Sequence, residues 1–183
     1  SVHGLALAKG QKGSATCSDC HDGHTIVPPT SPDSTLQFSR MAETCGACHE
    51  EMMANYERSE HARALLKSGL VGSSPSCSSC HGKHDIHSKT EAVATTNQAN
   101  IPDTCGKCHT GTLREWQESA HGTLWKKANG GRKSSEAPVC STCHEPHAIK
   151  RPDTAVVRFQ VADRCGNCHT EVDPSFHDSI HGK

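Results

Sequence analysis

Six times in this chain, two cysteines stand at i and i+3 with a histidine directly after the second. The sets are Cys17, Cys20 and His21; Cys45, Cys48 and His49; Cys77, Cys80 and His81; Cys105, Cys108 and His109; Cys140, Cys143 and His144; Cys165, Cys168 and His169. All twelve cysteines fall inside these motifs. Thiols one helical turn apart can pair with each other, hold a metal ion, or bond covalently to an electrophilic group, and an imidazole beside them can bind a metal.

Disulfides account poorly for the pattern. A staple stabilises most by closing a long loop, whereas these thiols come as close pairs, and a disulfide gives no role to the histidine. Zinc fares little better. Cys45, Cys48 and His61 have a zinc-finger gap, but the fourth ligand should be a His three to five residues on, and "ARALLKSGL" (62–70) has none. Cys-x-x-Cys-His is instead the attachment motif of c-type haem. Two thiols add across the porphyrin vinyl groups, and the His lies beneath the iron. With 15 His in 183 residues, chance would fill all six positions less than about once in a million. The expected cofactors are six c-type haems.

The motifs are of two kinds. Type A continues as Cys-x-x-Cys-His-x-x-His-x-Ile at 17–26, 77–86 and 140–149, and type B reads Cys-Gly-x-Cys-His at 45–49, 105–109 and 165–169. Twelve residues after each type B His comes another His in an aromatic-x-x-Ser-x-His setting: "YERSEH" (56–61), "WQESAH" (116–121) and "FHDSIH" (176–181). The aromatics are expected to pack on haem. The repeat is A then B, about 60 residues long, three times over. It makes one elongated unit, 1–183, of repeats at about 3–61, 61–121 and 121–181.

Seven further histidines hold repeat positions: His3, His24, His61, His84, His121, His147 and His181. They are the candidate sixth ligands. His87 and His177 do not recur and read as surface residues; Met41, Met52 and Met53 do not repeat either. His24, one turn past His21, cannot reach around its own haem, and His61 lies about 18 Å of helix beyond His49. The simplest scheme has His3, His61 and His121 capping the haems at Cys17/Cys20, Cys77/Cys80 and Cys140/Cys143. His24, His84 and His147 then cap those at Cys45/Cys48, Cys105/Cys108 and Cys165/Cys168. His3 and His181 share one phase of the repeat, so a head-to-tail homo-oligomer with ligation across the junction by His3 or His181 is a further expectation.

These groups need a scaffold, and the composition says it is thin. Hydrophobic residues are 33% and aromatics 3%, against about 45–50% apolar in ordinary domains. Such a chain cannot offset its ordering entropy alone, so the haems must supply the core. The expected fold is mainly irregular coil with short α-helices around a stacked haem chain, with little or no strand. Helices are expected at the motifs and over about 48–66 and 108–127, and loops at "GSSPS" (72–76) and "ANGGRKSSEAP" (128–138). A net charge of −1 gives no sign of nucleic-acid binding, and no run is long and apolar enough for a membrane span. No charged-then-apolar leader opens the sequence, so an exported protein would be met here in mature form.

With its alternating Cys-x-x-Cys-His-x-x-His and Cys-Gly-x-Cys-His…Ser-x-His-Gly, the whole chain resembles multihaem c-type cytochromes, above all the polyhaem repeats of metal-reducing and sulfur-cycle bacteria. Some of those are periplasmic shuttles and others polymerise into extracellular filaments. The resemblance implies haems stacked in a row, alternating parallel and perpendicular neighbours. It departs in length, since such repeats often run on in longer chains. The expected function is electron transfer along six low-potential bis-histidine haems by an electron carrier, not an enzyme. Its partners would be other redox proteins or extracellular acceptors, and it would sit in the periplasm, at the cell surface or outside a prokaryotic cell. The alternative is a multihaem reductase of nitrite, hydroxylamine or sulfur oxyanions, which needs an iron with an open position.

Overall fold

Type A and type B motifs fold differently, and the residues between their cysteines decide how. The computed structural model describes residues 1–127 and 137–182. In type A the motif opens a helix: α2 is Cys17–His21, α6 is Cys77–His81 and α10 is Cys140–Cys143. The residue before each has extended backbone, and its N–H donates to the side chain just before the second cysteine. Thr16 N–H bonds Asp19 Oδ2 at 2.7 Å, Ser76 N–H bonds Ser79 Oγ at 3.1 Å and Val139 N–H bonds Thr142 Oγ1 at 3.0 Å. An Asp, Ser or Thr at the third helical position supplies this half of a capping box. Left-handed residues Asp22 (φ 61°) and Gly82 (φ 81°) then end α2 and α6. The third copy differs, for α10 stops at Cys143 and His144 is already extended (φ −109°, ψ 130°).

In type B the motif closes one helix and starts the next. Helices α3 (Met41–Gly46), α7 (Ile101–Gly106) and α11 (Ala155–Gly166) end on its Cys-Gly. His49 and His109 are then the N-caps of α4 (Glu50–Glu57) and α8 (Thr110–Glu118). The glycine is a packing requirement. A Cβ at Gly46 would meet Met53 Cγ at 2.8 Å, and one at Gly106 would meet Leu113 Cδ2 at 2.3 Å. The helices that lead into type B motifs were not among those expected from sequence.

The aromatic-x-x-Ser-x-His segments are helix breaks. Ser59 and Ser119 carry extended backbone, and their Oγ atoms accept from Ala62 N–H at 3.0 Å and Gly122 N–H at 3.2 Å. Each serine caps a new helix: α5 (Glu60–Ala62), which runs on as a π turn over Arg63–Lys67, and α9 (Ala120–Lys127). The histidine therefore sits in the first turn of a fresh helix, so the continuous helices expected over 48–66 and 108–127 are each two. Helix α1 (Val2–Ala8) presents His3 the same way behind Ser1, and α12 is Asp173–His177. No strand occurs among the described residues, as expected. "GSSPS" lies in turn and coil as expected, while 128–136 of the second expected loop falls outside the described residues.

The polypeptide core is small. Ala42, Tyr56 and Ala62 form one buried cluster with Met53 and Cys77 against it; Trp125, Ala137 and Val139 form another with Ile101 and Trp116. Each joins a type B segment to the next type A motif. Tyr56 OH donates to Pro75 O at 2.8 Å, and Trp125 Nε1–H to Ala99 O at 3.1 Å. Tyr56 and Trp116 thus pack in protein clusters, while Phe176 is 39% exposed and meets the edge of His177. The accessible surface is 12481 Å² for 19.6 kDa. A compact protein of that mass exposes about 8,600 Å², so the chain buries much less of its surface than a compact domain does.

Candidate cofactor site

One backbone bond sets each motif's local geometry. The His N–H reaches back to the first Cys carbonyl in His49 (3.1 Å), His109 (3.0 Å), His144 (2.9 Å) and His169 (2.9 Å). Both thiols and the imidazole therefore share a single turn. Successive motifs are then tied together. Thr35 Oγ1 donates to Cys20 O at 2.5 Å, and Thr44 Oγ1, directly before Cys45, donates to Thr35 O at 2.6 Å. Repeat 2 copies this relay with Thr95 to Cys80 O and Thr104 to Thr95 O (2.7 Å). In repeat 3 Arg164, directly before Cys165, bonds Cys143 O itself. Sequence reasoning missed this relay, although Thr44 and Thr104 stand at one register.

The thiols follow one another in chain order. The Cys45 and Cys77 thiols hydrogen-bond each other, raising the first and lowering the second; Cys105 and Cys140 do the same. Burial raises the Cys20, Cys80 and Cys143 thiols, and the nearby thiols Cys48, Cys108 and Cys165 add to it. Every cysteine is free. The motifs form an unbroken series A, B, A, B, A, B.

The imidazoles pair across the repeats. His21 faces His84 with ring centres 5.8 Å apart, and His81 faces His147 at 5.9 Å. His49 faces His3 at 6.1 Å, His109 faces His61 at 6.2 Å and His169 faces His121 at 6.1 Å. Each pair joins one motif histidine to one repeat-register histidine. The rings in the type A pairs are almost parallel, at 13° and 4°, while those in type B pairs are tilted by 40°, 34° and 30°. Burial lowers the His61 and His81 pKa values, and the partner rings His109 and His147 lower them further.

This is not the pairing expected from proximity along the chain. His3, His61 and His121 face type B histidines, not those at Cys17/Cys20, Cys77/Cys80 and Cys140/Cys143. His84 and His147 face the preceding type A histidine, not His109 and His169. Long-range backbone bonds explain the offset. Val2 N–H, before His3, bonds Ile86 O at 2.7 Å, and Glu60 N–H, before His61, bonds Ile149 O at 2.9 Å. The type A tails at Ile86 and Ile149 are thus held against helices α1 and α5, which lie far earlier in the chain. His144, His24 and His181 have no ring partner among the described residues. Away from the pairs, His87 Nδ1 contacts Glu91 Oε2 at 3.0 Å, His177 Nε2 lies 3.6 Å from Asp163, and Met41 and Met53 belong to the protein packing.

The gap between paired rings has a definite size. Two metal–nitrogen bonds of about 2 Å, plus about 1 Å from each nitrogen to its ring centre, span about 6 Å. One metal ion fits between each pair. Among the described residues no group of three or more His, Cys, Asp or Glu could hold a metal, so a tetrahedral zinc site is not what these residues build. Two opposed imidazoles with two thiols on the same turn suit a metal whose four other ligands come with it, in a ring that the thiols anchor.

A family model described as "Doubled CXXCH motif" matches residues 133–174, the third A–B pair. No curated protein and no solved structure matches the chain. No helix among the described residues is long and apolar enough to cross a membrane. The CXXCH motifs indicate covalently bound c-type haem, whose attachment takes place outside the cytoplasm, and the doubled motif supports a multihaem c-type cytochrome suited to electron transfer.

Proposed function

We propose that the chain holds six c-type haems, one per motif, and conducts electrons along their row. The five imidazole pairs at 5.8–6.2 Å carry this reading. Haem iron supplies the one-electron chemistry. Cys17, Cys20, Cys45, Cys48, Cys77, Cys80, Cys105, Cys108, Cys140, Cys143, Cys165 and Cys168 anchor the rings covalently. His21, His49, His81, His109, His144 and His169 are proximal ligands; His84, His3, His147, His61 and His121 are the opposite ligands of the first, second, third, fourth and sixth sites. Imidazole on both sides, without the methionine that raises potential, favours low-potential iron. Thiol contacts between successive motifs support close spacing, and such a row needs no substrate pocket. The natural partners are other redox proteins or extracellular acceptors, met in the periplasm or beyond, with the protein working as a conduit or a filament subunit.

One observation favours a reductase of nitrite, hydroxylamine or sulfur oxyanions: His144 has no opposing ring among the described residues, and an iron there would have room for a substrate. Intact mass and haem spectroscopy on protein matured by a competent host test both readings. Six haem additions with five or six low-spin irons are expected. A mass equal to the bare polypeptide refutes the conduit, and an isolated high-spin haem that reduces these anions favours the enzyme.

A further inference from the structure

The three type A sites share a motif but not a charge. The side chain just before the second cysteine is Asp19 in the first copy and the neutral Ser79 and Thr142 in the others. Thr16 holds the Asp19 carboxylate there, through its N–H at 2.7 Å and its Oγ1 at 2.6 Å. Asp22 follows His21 directly and closes α2, where Gly82 and Glu145 stand in the later copies. The cations come from the type B motifs of the later repeats. After the type B glycine stand Ala47, Lys107 and Asn167, and before the first type B cysteine stand Thr44, Thr104 and Arg164. Repeat 3 also has Ala155 where the relay uses Thr35 and Thr95, so Arg164 reaches Cys143 O by itself. Arg164 lines a hollow with His144, Glu145 and Lys150, which leaves that hollow net positive. The thiols register the same contrast. Burial raises Cys20, Cys80 and Cys143; beyond burial, Asp19 raises Cys20 further, whereas Lys107 draws Cys80 down and, after the opposing Cys165 thiol, Arg164 draws Cys143 down.

We propose that Asp19 and Arg164 grade the type A sites, with the first at the lowest potential and the third at the highest, so that electrons entering the row settle toward repeat 3. A fixed positive charge favours the form of a nearby site that carries one more electron, and a negative charge opposes it. Lys107 places the second site between the two. The proposal rests on the six-haem reading and gives that conduit a direction. Each step passes one electron from a reduced site to an oxidised one, with no bond made or broken, and the redox partners named above supply and remove it. A purely structural arginine, standing in for the two missing threonine hydroxyls, would hold the backbone and leave the potentials alone.

The test is a spectroscopic redox titration of the full haem-loaded chain, with haem content checked by intact mass. Arg164→Gln removes the charge and keeps an N–H donor. It should lower the midpoint of one haem, cutting its reduced-to-oxidised ratio at the native midpoint about tenfold, which is about 59 mV for one electron. Arg164→Lys keeps the charge and should titrate close to the native protein. Asp19→Asn keeps an acceptor for Thr16 N–H and should raise the midpoint of a different haem, by less because Asp19 is exposed and screened. The double variant should show both shifts together. The proposal is overturned if Arg164→Gln leaves the titration unmoved or raises it, if Arg164→Lys shifts it as far as Arg164→Gln does, or if Asp19→Asn fails to raise a midpoint. Fewer than six haems by mass in the native protein would instead refute the reading beneath it.

Discussion

Gly122 follows His121 and lies against the end of α8. A Cβ there would sit 2.1 Å from Trp116 O and 2.6 Å from Gln117 Cα, where ordinary contact begins at 3.4 Å. Gly122→Ala must therefore move α9 by about 1.3 Å, the difference between 3.4 and 2.1 Å. A metal–nitrogen bond of about 2 Å does not stretch that far. Overpacking of this kind costs about 1–3 kcal/mol, which at about 1.4 kcal/mol per decade weakens closure of His121 on its site about 5- to 140-fold. On the six-haem reading, the assay is the high-spin fraction of the fully loaded protein, which should rise by up to one haem. Gly111→Ala is the control, because nothing lies within 4 Å of a Cβ there. It sits inside α8 and should stabilise the helix by about 1 kcal/mol with no spectral change. If both variants keep the native spectrum, or both change it equally, the steric reasoning fails. Repeat 1 carries buried Ala62 at this register, where α4 ends at Glu57, one position earlier than α8 ends at Glu118.

Other parts of the scaffold give further tests. Tyr56→Phe removes the bond to Pro75 O and should lower stability to denaturant by about 0.5–1.5 kcal/mol, with haem spectra unchanged. Thr104→Val cuts the relay to Thr95 and Cys80, and amide exchange should speed up across residues 95–108 while the rest of the chain keeps its protection. His147→Ala leaves His81 without an opposing ring, so one haem should turn high-spin while the haem content by mass stays native; a native spectrum would contradict the pairing. Parallel rings at the type A pairs and tilted rings at type B should divide the low-spin irons into two populations by electron paramagnetic resonance, and one uniform population would contradict the angles.

The two motif types and the seven repeat-register histidines were legible from spacing alone, and the structure sets five of those seven opposite a motif histidine. The absence of strand among the described residues followed from the thin apolar content. What proximity could not reveal was the pairing. His84 faces His21 because of bonds such as Val2 to Ile86, between residues far apart in sequence and chosen by the path of the backbone. The helices leading into type B motifs were missed because short segments such as "MAETCG" carry too few apolar residues for a clear period. They form because the Thr relay and the close Gly46–Met53 and Gly106–Leu113 contacts hold them. Gly, Ser and Thr positions beside the motifs proved to be positioning residues, and their recurrence across the repeats was the available signal.

The one-repeat offset between a type A histidine and its opposing ring makes the module directional. His21 and His81 are each faced only by a ring from the repeat that follows, so excising a repeat would strip the facing ring from the type A histidine before it.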